Sequence, residues 1–415
     1  MREFAFNVSA LLVSISLLLL GNGLAMTLLG VRAQMEGFST VITGFLMSAY
    51  FIGYIFGALA VPKMVAAVGH VRVFAALASI TSVSAIMHVV WVDPFFWAAL
   101  RVLTGFCLVG LYMVTESWLN EQSSNENRGQ VFSAYMIINL GSVAMGQQLL
   151  QVADPAGIGL FVISTVLFSL AVVPLSLVPS RAPQPIPSAR MKITQLFQNS
   201  PVGTIGIFCS GLVNGAFWGM APVYLFQSSF TTGQIANVMM FAVLGGMLMQ
   251  WPLGRMSDKT DRRNIIMLAC VGLICASILI ANTDVHSMVM FAIAIGLFGG
   301  FMMPIGALCN AHINDHLTQK DFVPASGAMQ MVGGIGSIIG PYAASIFMQV
   351  GGQSMLFIFS MTVASALLLF TAFRRFVSEA PEHTSPFRAL PMATHYINRL
   401  QRVRSEKKSR KQKSA

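Results

Sequence analysis

An all-α, polytopic membrane fold is predicted by three observations. The 415 residues are 55% apolar and only 10% charged, against about 25% charged in an ordinary soluble domain. The apolar residues fall in runs of bilayer length, and about 20 are needed to cross the hydrocarbon as a helix. Lys and Arg are sorted into alternate breaks between those runs. The same numbers exclude a disordered chain and, with five cysteines, a disulfide scaffold.

Twelve spans are read: 6–30, 40–61, 73–92, 95–117, 130–152, 157–179, 202–226, 232–254, 264–283, 287–309, 325–349 and 354–373. Eleven contain no Asp, Glu, Lys or Arg, and 95–117 contains Arg101 and Glu116. The first run follows Arg2 and is longer than the apolar stretch of a secretory leader, so it is read as a span. With the N-terminus in the cytoplasm, twelve of the basic residues between Arg2 and Lys320 and all eleven from Arg374 to Lys413 lie inside, 23 of 25. Arg32 is outside and Arg101 is in the membrane. The external turns carry Glu36, Asp93, Asp154 and Asp284. Both termini are therefore expected in the cytoplasm. The net charge of +10 is a topology signal, and without aromatic–basic interleaving it predicts no nucleic-acid partner. Cys107, Cys209, Cys270, Cys275 and Cys309 all fall inside spans and are expected to be small packing residues.

The chain divides into bundles 1–180 and 201–375, joined by a cytoplasmic linker at 181–200 and followed by a basic tail at 376–415. Pro183, Pro185 and Pro187 argue against regular structure in the linker. The halves echo each other at a constant offset of 192. Asn22-Gly23 matches Asn214-Gly215, Lys63-Met64 matches Arg255-Met256, Gly69 matches Asp261, Arg128 matches Lys320 and Gly141 matches Gly333. Two pseudo-symmetric six-helix bundles follow, with a substrate site expected between them near mid-membrane.

Between spans 8 and 9 the chain reads Gly254-Arg255-Met256-Ser257-Asp258-Lys259-Thr260-Asp261-Arg262-Arg263. This resembles the G-x-L-[AS]-D-[RK]-x-[GD]-R-[RK] loop of the major facilitator superfamily, with Met256 in place of Leu. Arg101-x-x-x-Gly105 is similar to a second signature of that family. The first-half loop is degraded and has Ala66 where the Asp would stand. Glu36-Gly37-Phe38-Ser39, Gly69 to Phe74, Glu116 to Asn120 and Asn125 to Gly129 resemble the YcaD-like branch of bacterial facilitators. The resemblance covers roughly residues 1–380. It implies a secondary transporter of a small organic solute in a bacterial inner membrane, working by alternating access with spans 1, 4, 7 and 10 around the cavity. A proton is the expected coupling partner. An uncoupled facilitator and a nontransporting sensor or adaptor are the alternatives.

The substrate and coupling candidates are Asn22, Arg101, Tyr112, Gln147, Asn214 and Trp218. Arg101 lies about two turns inside span 4. A charge there is costly unless it faces a cavity or a partner, and Gly105, Leu108 and Tyr112 share its helix face. Asn22 and Asn214 interrupt apolar helices beside glycines, and Trp218 shares a face with Asn214. Gln147 and Gln151 share a face expected to be wet. The gating candidates are Gly254, Asp258, Arg262, Arg263, Glu116, Arg128 and Asp315. Asp258 is expected to dock at the start of span 5, near Arg128, when the protein is open outward, because a helix start favours an anion. Arg262 is expected to pair with Asp315, and Glu116 with Arg72 or Arg128.

His88 is expected to be a packed neutral side chain. His312, Asp315 and His316 are assigned to a cytoplasmic loop and not to a metal site. No cofactor is expected, since the glycines from Gly333 to Gly340 lack the ending of a phosphate loop. Neither a nucleophile–base pair nor a metal cluster supports an enzyme. In the tail, Leu390, Ile397, Leu400 and Val403 recur at helical spacing before a polybasic end, which makes anionic lipid a candidate partner. The chain is expected to be monomeric.

Overall fold

The computed structural model describes residues 2–123, 127–177, 191–283, 287–318 and 321–377. The linker prolines, Asp284, Lys320 and the basic tail lie outside them, as does the side chain of Arg128. Every element among the described residues is helical. The order is α1 (Arg2–Met35), α2 (Thr40–Val68), α3 (His70–Val90), α4 (Pro94–Gln122), α5 (Arg128–Gln148, extended by a 3₁₀ turn), α6 (Gly159–Leu170), α7 (Val172–Ser176), α8 (Ile193–Asn199), α9 (Pro201–Gln227), α10 (Thr232–Lys259), α11 (Arg262–Asn282), α12 (Met288–Asp315), α13 (Phe322–Gly351) and α14 (Met355–Val377). Among the described residues, eleven helices are long and apolar enough to cross a membrane, with α6 and α7 forming one. The more polar α5 makes the twelfth crossing.

Short polar signals start the helices. Asp93 accepts from the Phe96 amide at 2.8 Å, Ser39 accepts from the Ile42 amide at 3.2 Å, and Thr231 forms a reciprocal capping box with Gln234. Gly69 alone separates α2 from α3, at a φ of 87° that a side chain would strain.

Several boundaries differ from the sequence reading. The first helix runs 34 residues, well past 30. Span 6 breaks at Ala171, because Pro174 has no amide to bond the Leu170 carbonyl and its ring crowds that carbonyl. Residues 193–199 of the linker form a helix, beginning beyond its prolines. Leu196 of that helix is buried, and the Met191 amide bonds the Pro324 carbonyl at 3.2 Å, which ties the linker to α13. His312 is buried in the last turn of α12, not in a loop. Cys275 is exposed on α11, unlike the four buried cysteines.

The pseudo-symmetry is visible in the closest helix contacts. Gly53 of α2 and Gly245 of α10 are 192 apart in sequence. A Cβ on either would run into a carbonyl of the crossing helix, Val102 O of α4 or Gly296 O of α12. Gly23 of α1 and Gly215 of α9 meet α5 and α13 in the same way, at the Val143 and Ser337 carbonyls. Lipid supplies no hydrophobic drive between helices, so small residues that let backbones approach do this work.

Helices α1–α7 form one bundle and α9–α14 the other. The buried apolar residues fall into two clusters. The larger joins the second bundle to Leu28, Leu29, Leu46, Met47, Trp97, Leu150 and Phe161 of the first. All of these lie in the half of the membrane where α1 ends and α2 begins, hereafter the Gln227 end. The smaller cluster contains residues of the first bundle alone, mostly toward the opposite, Arg262 end.

Candidate functional site

At the Gln227 end the bundles are joined by neutral polar groups laid over this shared core. The Gln227 amide donates to Gln34 Oε1 and to Thr40 Oγ1, both at 2.9 Å. Gln34 in turn donates to Thr43 Oγ1 at 2.9 Å. Gln148 of α5 donates to the Ala236 carbonyl of α10 at 3.2 Å. Pro222 of α9 packs on Gly30, and Met47 of α2 on Gly219. The α2–α13 contact continues inward from Gly44 against Ser345 and Pro341 to Ile55 against Gly334. Tyr54 and Gln330 close it with a hydrogen bond of 3.3 Å.

Near mid-membrane the structure brings some candidates together and separates others. Asn22 of α1 lies close to the Tyr112 hydroxyl of α4. Glu116 is buried and accepts from Tyr135 at 3.0 Å. Arg72 is exposed. Asn214 is half-buried and returns its amide to its own helix, to the Ser210 carbonyl at 2.9 Å. Trp218, one turn on, is half-buried against Phe217. Gln147 is not on a wet face: it is fully buried and accepts from Thr27 of α1. Gln148 and Gln151 face α10 instead: one helical residue turns Gln148 about 100° away from Gln147, and the 3₁₀ turn over Leu149–Gln151 brings Gln151 onto the same side as Gln148.

Arg101 is 2% exposed and points into the first bundle beneath the Gln227 end. Its guanidinium meets the Met26 sulfur at 3.1 Å and the Met47 sulfur at 3.8 Å, and lies 4.6 Å from the centre of the Tyr50 ring. Among the described residues no carboxylate pairs with it. An Arg at a helix centre costs about 2.5–3.5 kcal/mol on insertion scales, and a desolvated cation–π contact offers about 2 kcal/mol. These soft contacts therefore compensate most of the cost but leave Nε without a hydrogen-bond partner.

At the Arg262 end an ionic cluster is built inside the second bundle. Asp261 caps α11, and Arg262 is its first residue. Arg262 Nε bonds Asp315 at 2.6 Å, with side-chain exposures of 1% and 0%. The same guanidinium reaches Ser257 Oγ at 2.8 Å and Asp258 at 3.3 Å. Gly254 is buried one turn before Asp258. Arg263 holds Asp261 at 2.7 Å. Burial works to raise the Asp261 carboxyl, but the Arg263 hydrogen bonds outweigh it and hold the group below the usual carboxylate range.

Sequence reasoning missed Gln34, Gln227, Tyr50, Tyr54, Gln330 and the two methionines. Tyr50 and Tyr54, one turn apart in an apolar helix, were the available signal. Gln227 looked like an ordinary polar helix end, and its partners are 187 and 193 residues away.

Two six-helix bundles joined along α2–α13 and α5–α10 define a polytopic membrane transporter. A family model described as the Major Facilitator Superfamily matches residues 6–283 and 203–410, and the chain belongs to that superfamily. It is 24% identical over 371 residues to an uncharacterized MFS-type transporter YcaD of Escherichia fergusonii, covering 89% of this chain and 96% of that one. An uncharacterized MFS-type transporter of Yersinia pestis is also 24% identical, over 88% of this chain and 95% of its own length. In fold the chain is similar to the nucleoside transporter NupG, with a TM-score of 0.75 at 14% identity over 89% of this chain and 100% of that one. It is also similar to a bacterial homologue of the lysosomal transporter Spinster in an inward-facing and occupied conformation, with a TM-score of 0.68 at 13% identity over 89% and 98%. The family is one of transporters and not of enzymes.

Proposed function

We propose that the protein is a secondary transporter that moves a small organic solute across a bacterial inner membrane by alternating access, coupled to protons. The observation that carries this reading is the asymmetry of the apolar core. It runs through both bundles at the Gln227 end, while the first bundle closes on itself toward the Arg262 end. Such an arrangement fits a state sealed at the Gln227 end. The positive-inside distribution of Lys and Arg supports a cytoplasmic Arg262 end and cytoplasmic termini, and the sealed end would then be periplasmic. The solute would sit between Asn22–Tyr112 on one side and Asn214 and Trp218 on the other. Glu116, which accepts from Tyr135, would carry the proton. In the outward-open state Asp258 would exchange part of its contact with Arg262 for the start of α5, beside Arg128. The protein acts as a monomer, with its basic tail against anionic lipid.

A thermal-stability screen of purified protein against small organic solutes, followed by proteoliposome flux with and without a pH gradient, tests this. A stabilising solute should be transported, faster with the gradient than without, and Asn22→Ala or Asn214→Ala should weaken its stabilising effect. Stabilising solutes that never cross the membrane would overturn the reading.

A further inference from the structure

The first bundle holds a cavity of about 20 Å³ lined by α1, α3, α4 and α6. A cavity needs about 10–15 Å³ of this measure to hold one water. Its polar lining is Thr81, His88, Arg101, Thr104 and Ser164, and the rest of its wall is apolar. Two buried nitrogens on this lining have no hydrogen-bond partner, Arg101 Nε and His88 Nε2. Both residues are 2% exposed.

The chemistry of the lining selects the occupant. His88 Nδ1 lies 2.7 Å from the Ser84 carbonyl, which only accepts, so Nδ1 carries the proton. Nε2 then presents a lone pair. Thr104 and Ser164 spend their hydroxyl protons on the carbonyls one turn back, Leu100 at 2.7 Å and Leu160 at 3.1 Å, and Thr81 does the same to Leu77 at 2.8 Å. They too offer lone pairs. The guanidinium of Arg101 is the one donor on this lining. Of the elements packed around His88, α1 and α6 bring no charged group to the cavity and α4 brings only Arg101. The Trp97 indole of α4 donates to the His88 carbonyl at 3.0 Å and not to its ring.

We propose that this cavity binds one water molecule, which accepts from Arg101 Nε and donates to His88 Nε2. A water supplies both an acceptor and a donor. A halide would be drawn by Arg101 but would face the His88 lone pair and those of the hydroxyls. His88 is then a positioning residue. Through the water it holds the Arg101 guanidinium beneath Met26 and Met47, and Met47 packs on Gly219 of the other bundle.

The test is an experimental structure of the whole protein at a resolution that shows ordered water, with bromide as the only halide in the buffer. The proposal expects one peak within hydrogen-bond distance of both nitrogens and no anomalous bromine signal there. An empty cavity, or a bromine peak, would overturn it. Nitrogen-15 NMR of histidine-labelled protein at neutral pH gives a second, fold-independent reading. An unprotonated Nε2 on His88 supports the water, and a proton on Nε2 contradicts it.

Discussion

At the Gln227 end the bundles meet through amides and hydroxyls over a continuous apolar core, whereas at the Arg262 end the charge is concentrated inside one bundle. The difference follows from what each set of contacts has to do. A seam that opens and closes exposes its groups to water in one state and hides them in the other. Neutral hydrogen bonds exchange with water at a net worth of about 0.5–1.5 kcal/mol each, so such a seam can be broken at modest cost. A buried ion pair cannot lose a partner cheaply. Arg262 and Asp315 lie within one bundle, where rocking of the halves leaves them together.

The comparison breaks most visibly at Arg262. Arg262→Ala takes the guanidinium away from the Asp315 carboxylate at 0% exposure, and removing one partner of a buried pair costs about 3–5 kcal/mol. A large fall in the detergent melting temperature is expected. If Arg262→Ala melts like the wild type, Asp315 is not held as described. Gln227→Ala removes two neutral hydrogen bonds and is expected to cost about 1–3 kcal/mol. Because the loss falls on one conformational state, it should appear as faster thiol labelling of a cysteine introduced at Ser345, buried against Gly44 of the other bundle, more than as a lower melting temperature. Equal labelling with and without Gln227 would show that this amide does not seal the end.

Smaller effects sharpen the contrast. The Asp258 side chain is 31% exposed in its pair with Arg262, so Asp258→Asn should change stability by about 0–1 kcal/mol and act on the balance between states instead. A loss as large as that of Arg262→Ala would mean that the two carboxylates share the buried charge equally. The last effect is a pH dependence. The folded-state depression of Asp261 makes its contribution to stability complete above the ordinary carboxylate range and lost as pH falls through its folded value. The melting temperatures of wild type and Asp261→Asn should therefore differ most near neutral pH and converge in acid. A gap that persists unchanged in acid would contradict the Arg263–Asp261 assignment.

The twelve crossings and the repeat were legible because apolar length, charge sorting and an offset of 192 are local or strictly periodic properties of the chain. Gly53 and Gly245 show what was legible only in part, since the matching position can be read but the carbonyl each one meets cannot. Arg101 could be singled out as costly, but whether it faced the space between bundles or the inside of one depended on Met26, Met47 and Tyr50, which carry no polar signature in an apolar run. Gln147 was misplaced because three neighbouring glutamines differ only in helix phase, and one residue of phase moves an amide from α10 to α1. Span 6 broke where a single proline outweighed an otherwise continuous apolar pattern.

The central claim is that sealing at one end and opening at the other are coupled. Spin labels placed in pairs across the bundles at the Arg262 end, with and without a disulfide between Gln34→Cys and Gln227→Cys in a cysteine-free background, test it most directly. The account predicts both short and long distances in the unlinked protein and the long population alone once the Gln227 end is locked. A distance distribution at the Arg262 end that ignores the disulfide would contradict it.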